Sequence, residues 1–242
     1  MQNLEQLQKE YYVKTAETYD ESHVSENDEH YLAIKFMIAI MKIYNVKTVL
    51  DVGSGTGRAV KALLDADIEV KGIEPVEELI NQAVKRGIPD GTIRKGYGQS
   101  LPFLDNSFDA VCQFGTLHHV KNPSPIISEM VRCSKKAVFL SDTNRFGKAG
   151  FFTRLIKLFF YKSGLWRVMY FAWTRGKNCD ISECDGIAYS YSVYDSLDQI
   201  TDWADRVIMI PTKVEGNKVK SWFHPLLTSS HILLCAFKEK EN

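Results

Sequence analysis

The chain has no excess of charge of either sign, and this absence excludes several classes of partner. Its 30 lysines and arginines match 30 aspartates and glutamates, so the formal net charge is +0. Nucleic acids and strongly acidic partners are usually bound through a net basic field, which this chain lacks. We therefore expect no nucleic-acid partner.

Cysteines are few and scattered, and no metal site is predicted from them. The chain has 5 of them, an odd number. They are Cys112, Cys133, Cys179, Cys184 and Cys235. Cys179 and Cys184 lack the second pair of Cys or His residues that would complete a zinc site. We therefore expect reduced thiols in a cytoplasmic protein, with no bound metal.

The first residues lack the apolar core of a signal peptide, because Glu5 and Glu10 interrupt them. The sequence also lacks internal repeats and low-complexity tracts. What remains is ordinary globular material, 45% hydrophobic and 25% charged over 242 residues. This composition and length predict a single α/β domain over residues 1–242, with an insertion.

A glycine-rich loop between a buried strand and a helix organises the first half of the chain. Residues 48–52 are β-branched or apolar except for Asp51, as expected of a strand buried on both faces. The sequence Gly53-Ser54-Gly55-Thr56-Gly57 follows and leads into a helical pattern that begins near residue 58. A strand, a glycine loop and a helix N-terminus together are typical of the nucleotide-binding start of a doubly wound sheet.

The spacing of the glycines distinguishes this loop from a dinucleotide fingerprint. The G-x-G-x-x-G pattern would place its third glycine at position 58, where the chain has Arg58. The next apolar strand, residues 69–73, is followed by Glu74. A carboxylate at the end of this strand can accept hydrogen bonds from both hydroxyls of a ribose. The glycine loop and Glu74 together predict a cofactor that contains a nucleoside.

Strand and helix patterns alternate through the rest of the chain. Further strands are predicted near residues 92–95, 108–114, 137–140, 206–213 and 231–238. Alternation of this kind predicts a mainly parallel sheet that binds its ligands beyond the carboxyl ends of the strands.

The motifs resemble those of the class I S-adenosylmethionine-dependent methyltransferases. The matching segments are residues 49–57, 72–75, 100–103, 106–111 and 117–120, within about the first 145 residues. The resemblance implies a Rossmann-like, seven-stranded, mainly parallel sheet with helices on both faces, an antiparallel last strand and a helical cap inserted after strand 5. It also implies S-adenosylmethionine as the cofactor and S-adenosyl-L-homocysteine as the product. The alternative is a Rossmann-like domain for another nucleotide, such as a dehydrogenase.

The resemblance assigns most cofactor contacts to the glycine loop and the ends of the following strands. Asp51 is expected to organise the ammonium group of the cofactor, directly or through water, and Glu74 to accept the ribose hydroxyls. Tyr97 stands where the family usually has an acid for the adenine, so backbone at Gly98 or Gln99, the Gln99 amide or stacking must hold that ring. The expected cofactor-binding residues are Tyr19, Asp51, Gly53, Ser54, Gly55, Thr56, Gly57, Glu74, Pro75, Gly98, Gln99, Ser100, Phe114 and Gly115.

Two adjacent histidines follow strand 4, at the edge of the sheet where methyl transfer would occur. A hydroxyl acceptor needs a base, and histidine titrates near neutral pH, so His118 and His119 are the candidate catalytic residues. The alternative is that they only support the loop. The candidate acceptor-binding residues are Tyr11, Asn144, Tyr189, Tyr191 and His224.

Two segments are expected to cover the site. Residues 1–28 resemble the lid of the family, and a solvated helix is the alternative. Residues 145–190 form a cap rich in basic and aromatic side chains, with no acidic residue between Arg145 and Asn178. The cap is too charged to span a bilayer. Its rings either belong to the core or close a pocket that favours an anionic acceptor, and contact with a membrane surface ranks last.

The sequence favours methyl transfer to a hydroxyl of a small molecule. The acceptor class, a sugar or nucleotide-sugar type metabolite of surface-glycan synthesis, rests on a loose resemblance of residues 142–145 and 186–191 to methyltransferases of such pathways. A lipid-linked or amine acceptor is the alternative within the enzyme class. A non-catalytic module that binds S-adenosylmethionine is the alternative outside it. The sequence leaves the oligomeric state open.

Overall fold

The structure is a computed structural model that describes residues 4–19, 28–182, 186–214 and 225–239. The helices in these ranges are α1 (Leu4–Thr15), α2 (Glu29–Ile43), α3 (Arg58–Leu64), α4 (Glu77–Lys85), α5 (Ser124–Cys133), α6 (Phe151–Lys162), α7 (Trp166–Trp173), α8 (Leu197–Thr201) and α9 (Pro225–Thr228). The strands are β1 (Thr48–Val52), β2 (Glu69–Glu74), β3 (Ile93–Lys95), β4 (Phe108–Phe114), β5 (Ser134–Thr143), β6 (Asp180–Ser182), β7 (Gly186–Ala188), β8 (Arg206–Val214) and β9 (Ser229–Phe237). Short 3₁₀ turns lie at Leu117–His119, Arg145–Gly147 and Val193–Ser196.

Seven strands form one sheet in the order β3-β2-β1-β4-β5-β9-β8. The pairs among β1 to β5 are parallel, and β9 lies antiparallel to both β5 and β8. The predicted α/β class, the mainly parallel sheet and the antiparallel last strand are therefore confirmed. Because strand order reverses between β1 and β4, a crevice opens beyond their carboxyl ends.

The two faces of the sheet are buried under different helices. On one face, α2 contributes Ala33, Ile34, Met37 and Met41, and all four are essentially inaccessible to water. On the other face, Ile127 and Met130 of α5 pack with apolar residues of β1, β4 and β5. Burial of each large apolar side chain stabilises the fold by about 1.5–3 kcal/mol. The mostly apolar sequence of β1 is thus explained by burial on both sides.

All three glycines of the loop after β1 have conformations that few other residues adopt. Gly53 has φ +76°, Gly55 +54° and Gly57 +82°, in the left-handed region. A Cβ on Gly57 would lie 2.0 Å from Cδ1 of Ile88, so this glycine lets α3 begin close to the chain that follows α4. At Gly55 a Cβ would meet nothing within 4 Å, because this part of the loop faces open space.

The predicted cap over residues 145–190 contains the helices α6 and α7, and it also contains an antiparallel hairpin of β6 and β7 that the sequence did not predict. The buried side chain of Gln8, on α1, accepts a hydrogen bond from the backbone N–H of Ile187 in this hairpin. The described part of the lid segment 1–28 therefore contacts the cap. None of the helices in the described part of the chain combines the length and apolarity that crossing a bilayer requires.

The junction between the cap and β9 generates a prediction for stability. A Cβ on the buried Gly147 would lie 1.8 Å from the backbone oxygen of Ser229, whereas one on Gly150 would meet nothing within 4 Å. We expect Gly147→Ala to lower the free energy of unfolding by about 1–3 kcal/mol, since overpacking against backbone is hard to relieve. Gly150→Ala, the matched control, should change it by less than about 0.5 kcal/mol. Urea unfolding of both variants measures the difference, and equal stabilities would contradict this packing.

Candidate active site

Two cavities meet at the carboxyl ends of the central strands. The glycine-loop cavity, of about 390 Å³, lies over residues 53–56 and Glu74. The cap cavity, of about 520 Å³, lies beneath α7 and β7. Both volumes are in the usual range of small-molecule sites. The cavities share five lining residues, namely Tyr19, Arg58, Phe114, Gly115 and His119.

Glu74 is a buried carboxylate on the wall of the glycine-loop cavity. Its Oε2 accepts a hydrogen bond from the Gly55 N–H at 2.9 Å, and its Oε1 accepts one from the Val76 N–H at 3.0 Å. Burial raises the pKa of Glu74 to about 7, although these two N–H groups act in the opposite direction. A carboxylate retains lone pairs after two such bonds, so it can still accept from hydroxyl groups of a ligand.

Asp51 lies behind the loop and does not line either cavity. Its Oδ1 contacts Sγ of Cys112 at 3.6 Å, and burial raises its pKa to about 6. The Ser54 hydroxyl donates to the backbone oxygen of Asp51 at 3.0 Å, which fixes the start of the loop. Asp51 is thus in place to hold the start of the loop. Of its two predicted contacts with the cofactor ammonium, direct or through water, the one through water fits this position.

Most of the predicted cofactor-binding residues line the glycine-loop cavity, and four do not. Those that line it are Tyr19, Gly53, Ser54, Gly55, Thr56, Glu74, Pro75, Gln99, Phe114 and Gly115. Besides Asp51, the exceptions are Gly57, Gly98 and Ser100. Gly57 packs against Ile88, and a Cβ on Gly98 would lie 2.9 Å from Val52, so both positions are set by packing. Ser100 is exposed in a turn, while the side chain of Tyr97 does line the cavity.

Helix α1 supplies residues that the sequence analysis missed. Gln8 and Tyr12 line the glycine-loop cavity, whereas Tyr11, the predicted acceptor contact, lines neither cavity. Adjacent residues on a helix point about 100° apart, so only one of the two tyrosines can face inward. The ring of Tyr12 meets the rings of Tyr19 and His119 edge-on, each at 5.8 Å between centroids. Gln8 and Tyr12 are about one helical turn apart, and this spacing in the sequence could have indicated that they lie on the same face of α1.

His118 is oriented by a buried carboxylate. Its Nδ1 lies 2.8 Å from Oδ1 of Asp142, a residue with no exposed surface, and the ring faces the cap cavity. Oδ2 of Asp142 accepts from the Leu117 N–H at 2.9 Å and from the Gln113 amide at 3.2 Å. Burial alone would raise the pKa of Asp142, but the charge and hydrogen bond of His118 hold it well below its usual value. An imidazole fixed by a carboxylate in this way is typical of a general base.

His119 has a different environment. Its Nδ1 lies 2.7 Å from the backbone oxygen of Ile187, and since a carbonyl only accepts, this nitrogen carries the hydrogen. The Gln8 amide nitrogen lies 3.4 Å from the same Nδ1, so the ring sits between α1 and the hairpin of the cap. The two rings are 4.0 Å apart. The structure therefore gives His118 a carboxylate partner and gives His119 a place between two covering segments.

The cap cavity contains a buried cation among aromatic rings. The Arg145 guanidinium is 7% exposed, forms an ion pair with Asp195 and lies 5.1 Å from the centre of the Trp166 ring. Burial lowers its pKa to about 10, so it stays charged at neutral pH. Its Nε has no hydrogen-bond partner within the described ranges. The predicted residues Tyr189 and Tyr191 line the same cavity.

Asn144 was predicted to contact the acceptor, and the structure contradicts this. Its side chain is fully buried, and its amide nitrogen donates to the backbone oxygens of Leu226 and Ser229 at 2.7 and 2.8 Å. Its Oδ1 accepts from the Phe146 N–H and from Ser192. The hydrogen bonds of the Asn144 amide thus connect the start of the cap to β9. His224, the other predicted contact from this region, lies outside the described residues.

A cluster of Glu29, His30 and His231 also lines the cap cavity and was not predicted. Oε1 of Glu29 lies 3.2 Å from Nε2 of His231, and Nδ1 of His30 lies 3.1 Å from the Ser141 hydroxyl. Burial lowers the pKa of His30 to about 3 and that of His231 to about 4, so both rings are neutral at pH 7. Their possible metal-ligating atoms lie within 4.8 Å of one another, but the Lys213 ammonium, 3.1 Å from Glu29, already balances the charge of the carboxylate.

Comparison with known proteins finds methyltransferases over the central part of the chain. Residues 50–141 match the family described as methyltransferase domain. Demethylmenaquinone methyltransferase of Renibacterium salmoninarum is 37% identical over 87 residues, which are 36% of this chain and 36% of that protein. An uncharacterized methyltransferase of Bacillus pumilus is 33% identical over 109 residues, which are 43% of this chain and 50% of that protein. The chain therefore matches half or less of the length of these relatives.

Solved structures share the fold over nearly the whole chain. Magnesium protoporphyrin IX methyltransferase from Synechocystis PCC 6803, crystallised with S-adenosylmethionine, superposes with a TM-score of 0.62 at 13% identity, covering 99% of each chain. A methyltransferase from Thermotoga maritima gives 0.57 at 17% identity, covering 96% of this chain and 100% of that one. These similarities extend the fold beyond the matched segment. The match over residues 50–141 and the shared fold support a class I S-adenosylmethionine-dependent methyltransferase.

Proposed function

We propose that this protein transfers a methyl group from S-adenosylmethionine to a hydroxyl of a small-molecule acceptor in the cytoplasm. The observation that carries the proposal is the His118–Asp142 pair, because it faces the cap cavity next to its junction with the glycine-loop cavity. Phe114 and Gly115 line both cavities, so a group held in one can reach a group held in the other.

The lining of the glycine-loop cavity supports binding of the cofactor. Glu74 is placed to accept the ribose hydroxyls, with Pro75, Leu79 and Tyr97 around the adenine end of the cavity. Gly55, where a Cβ would meet open space, lets the backbone approach the ligand closely. The N–H groups at the start of α3 suit the tail carboxylate, since a helix N-terminus favours anions. The cofactor supplies an electrophilic methyl group on a positively charged sulfur.

His118 has the geometry to take the proton that an acceptor hydroxyl loses. Asp142 fixes Nδ1 of His118 as the donor, which leaves Nε2 as the basic nitrogen of the neutral ring. The buried carboxylate also stabilises the imidazolium that forms. His119 lies at the junction of the cavities, with Tyr12 and Gln8 beside it, and alignment of the two reactants at this junction supplies a large part of the acceleration.

The cap cavity supports an acceptor with an anionic group and a flat or ring-shaped body. Arg145 and Lys148 supply positive charge, while Trp166 and Tyr170 supply ring faces. A sugar or nucleotide-sugar type metabolite of surface-glycan synthesis fits this lining, and we keep it as the proposed acceptor class. The relative from Renibacterium salmoninarum is named for a different acceptor, demethylmenaquinone. An amine acceptor would need no base, so it would not account for the His118–Asp142 pair.

The general base can be tested by substitution. His118→Asn should lower turnover by about a hundredfold to ten-thousandfold, the usual contribution of a general base. Asp142→Asn should also lower it, because the ring would lose its orientation. Release of S-adenosyl-L-homocysteine, measured with an acceptor found by screening sugars and nucleotide sugars, gives the rate.

The control for these variants is the affinity for S-adenosyl-L-homocysteine, which calorimetry should find unchanged because His118 does not line the glycine-loop cavity. Full turnover in His118→Asn would remove this residue as the base. Cofactor binding by the wild-type protein without turnover on any acceptor would favour a non-catalytic module instead.

Cofactor binding should release a proton near pH 6. Burial raises the pKa of Glu74 to about 7 in the free protein, so part of the population is protonated there. Hydroxyl donors stabilise the carboxylate and lower its pKa in the complex, so affinity should rise as the pH increases towards 7 and level off above it. Calorimetry in buffers of different ionisation enthalpy measures the released proton.

Glu74→Gln should abolish most of this proton release and weaken binding by about 1–3 kcal/mol, since it removes a charged acceptor. The matched control is Glu69→Gln, which changes an exposed glutamate at the other end of β2, outside both cavities. Release that persists in Glu74→Gln, or that disappears equally in Glu69→Gln, would contradict the role of Glu74.

A further inference from the structure

The outer face of the cap, here called the cap face, is formed by α6, α7 and the turn between them. Neither helix has a single buried residue. Its exposed large apolar side chains are Phe151, Phe152, Leu155, Ile156, Phe159, Leu165, Val168, Phe171 and Trp173. Phe152 is 79% exposed, Phe159 67% and Trp173 68%. A helix on a globular protein normally buries its apolar stripe, so a patch of this kind marks a surface that contacts something else.

The segment that carries these apolar side chains also carries exposed positive charges. No Asp or Glu occurs between Arg145 and Asn178, although the chain as a whole has a net charge of +0. Arg145 is buried, but other cations of the segment are exposed. The exposed ones are Lys162, Arg167, Arg175 and Lys177. The cap face thus combines exposed aromatic rings with cations and no neutralising acids of its own.

We propose that the cap face docks on an anionic lipid surface. Helices that lie in a membrane interface insert aromatic and aliphatic side chains between the lipids while their basic residues contact anionic headgroups. At 12 and 8 residues the two helices are too short to span a bilayer, and lying in its interface needs no such length. From the sequence alone this contact ranks last, because the exposure of the rings is visible only in the structure.

Charge complementarity argues against a second copy of the chain as the occupant. A symmetric dimer through the cap face would bring the same cations of two copies together, because both partners use the same patch. Like charges facing each other would oppose that association. A bilayer with anionic headgroups presents the opposite sign over an extended area.

The docking surface is continuous with the cap cavity. Trp166, Met169 and Tyr170 of α7 line the cavity, and Trp173 both lines it and is largely exposed. Attached in this way, the protein would hold the mouth of the cavity at the lipid headgroups. Resting on the proposed function, this favours sugar-type acceptors that are present at the membrane surface. The docking itself does not depend on catalysis.

Vesicle flotation of the full chain tests the proposal. We expect the protein to float with vesicles of phosphatidylcholine and phosphatidylglycerol, and to bind pure phosphatidylcholine vesicles about tenfold more weakly, with high salt weakening binding to the mixed vesicles. The double substitution Phe152→Ser and Phe159→Ser should reduce flotation by about tenfold. The matched control is Leu104→Ser, which removes an apolar side chain that is 83% exposed and lies outside the cap.

Three results would overturn the docking. The first is that the protein does not float with the mixed vesicles. The second is that Leu104→Ser reduces flotation as much as the double substitution does. The third is that light scattering shows a dimer, which the double substitution converts to a monomer. Unchanged affinity for S-adenosyl-L-homocysteine shows that each variant is folded. Failure of the proposed methyl transfer is scored separately, since a protein that floats normally but turns over no acceptor retains the docking and loses only the catalytic proposal.

Discussion

The buried carboxylate of Asp142 is the constraint on which the site depends. A charged group without exposure to water is stable only when it is fully hydrogen-bonded, and this one accepts from Leu117, Thr143, Gln113 and His118. These partners come from the end of β4, the turn that follows it and β5. The single group therefore fixes the spacing of two strand ends and aims one imidazole into the cap cavity. The chain enters the cap directly after this fixed end of β5.

Features specified by contiguous residues could be predicted from the sequence. The loop after β1 needs only the strand before it, its own glycines and the helix after it, and Glu74 needs only its position at the end of β2. The mainly parallel sheet followed from the alternation of patterns, and its antiparallel last strand followed from the family resemblance. The same local logic could not decide between Tyr11 and Tyr12, because the phase of α1 relative to the sheet is set by the contact of Gln8 with β7.

Features specified by distant residues were missed for the same reason. Glu29 and His231 are separated by most of the chain, and only the antiparallel insertion of β9 beside β5 brings them together. Asn144 looked like a polar residue at the mouth of the site, yet its amide is used up by the backbone near Ser229. From the sequence, the aromatic residues of the cap could equally be core residues or the lining of a closed pocket. Periodicity shows that a helix has an apolar face, but it does not show what covers that face.

The contacts of Ile187 connect the two coverings of the site. Its N–H donates to Gln8 of α1, and its carbonyl oxygen accepts from His119, which stands after β4. One residue of the cap hairpin is thereby hydrogen-bonded both to the segment over the glycine-loop cavity and to the turn at the junction of the cavities. Displacement of β7 by a ligand in the cap cavity would have to break or carry along both bonds. Because its Nδ1 hydrogen is bonded to Ile187, His119 connects the turn after β4 to the cap, beside the proton-accepting role proposed for His118.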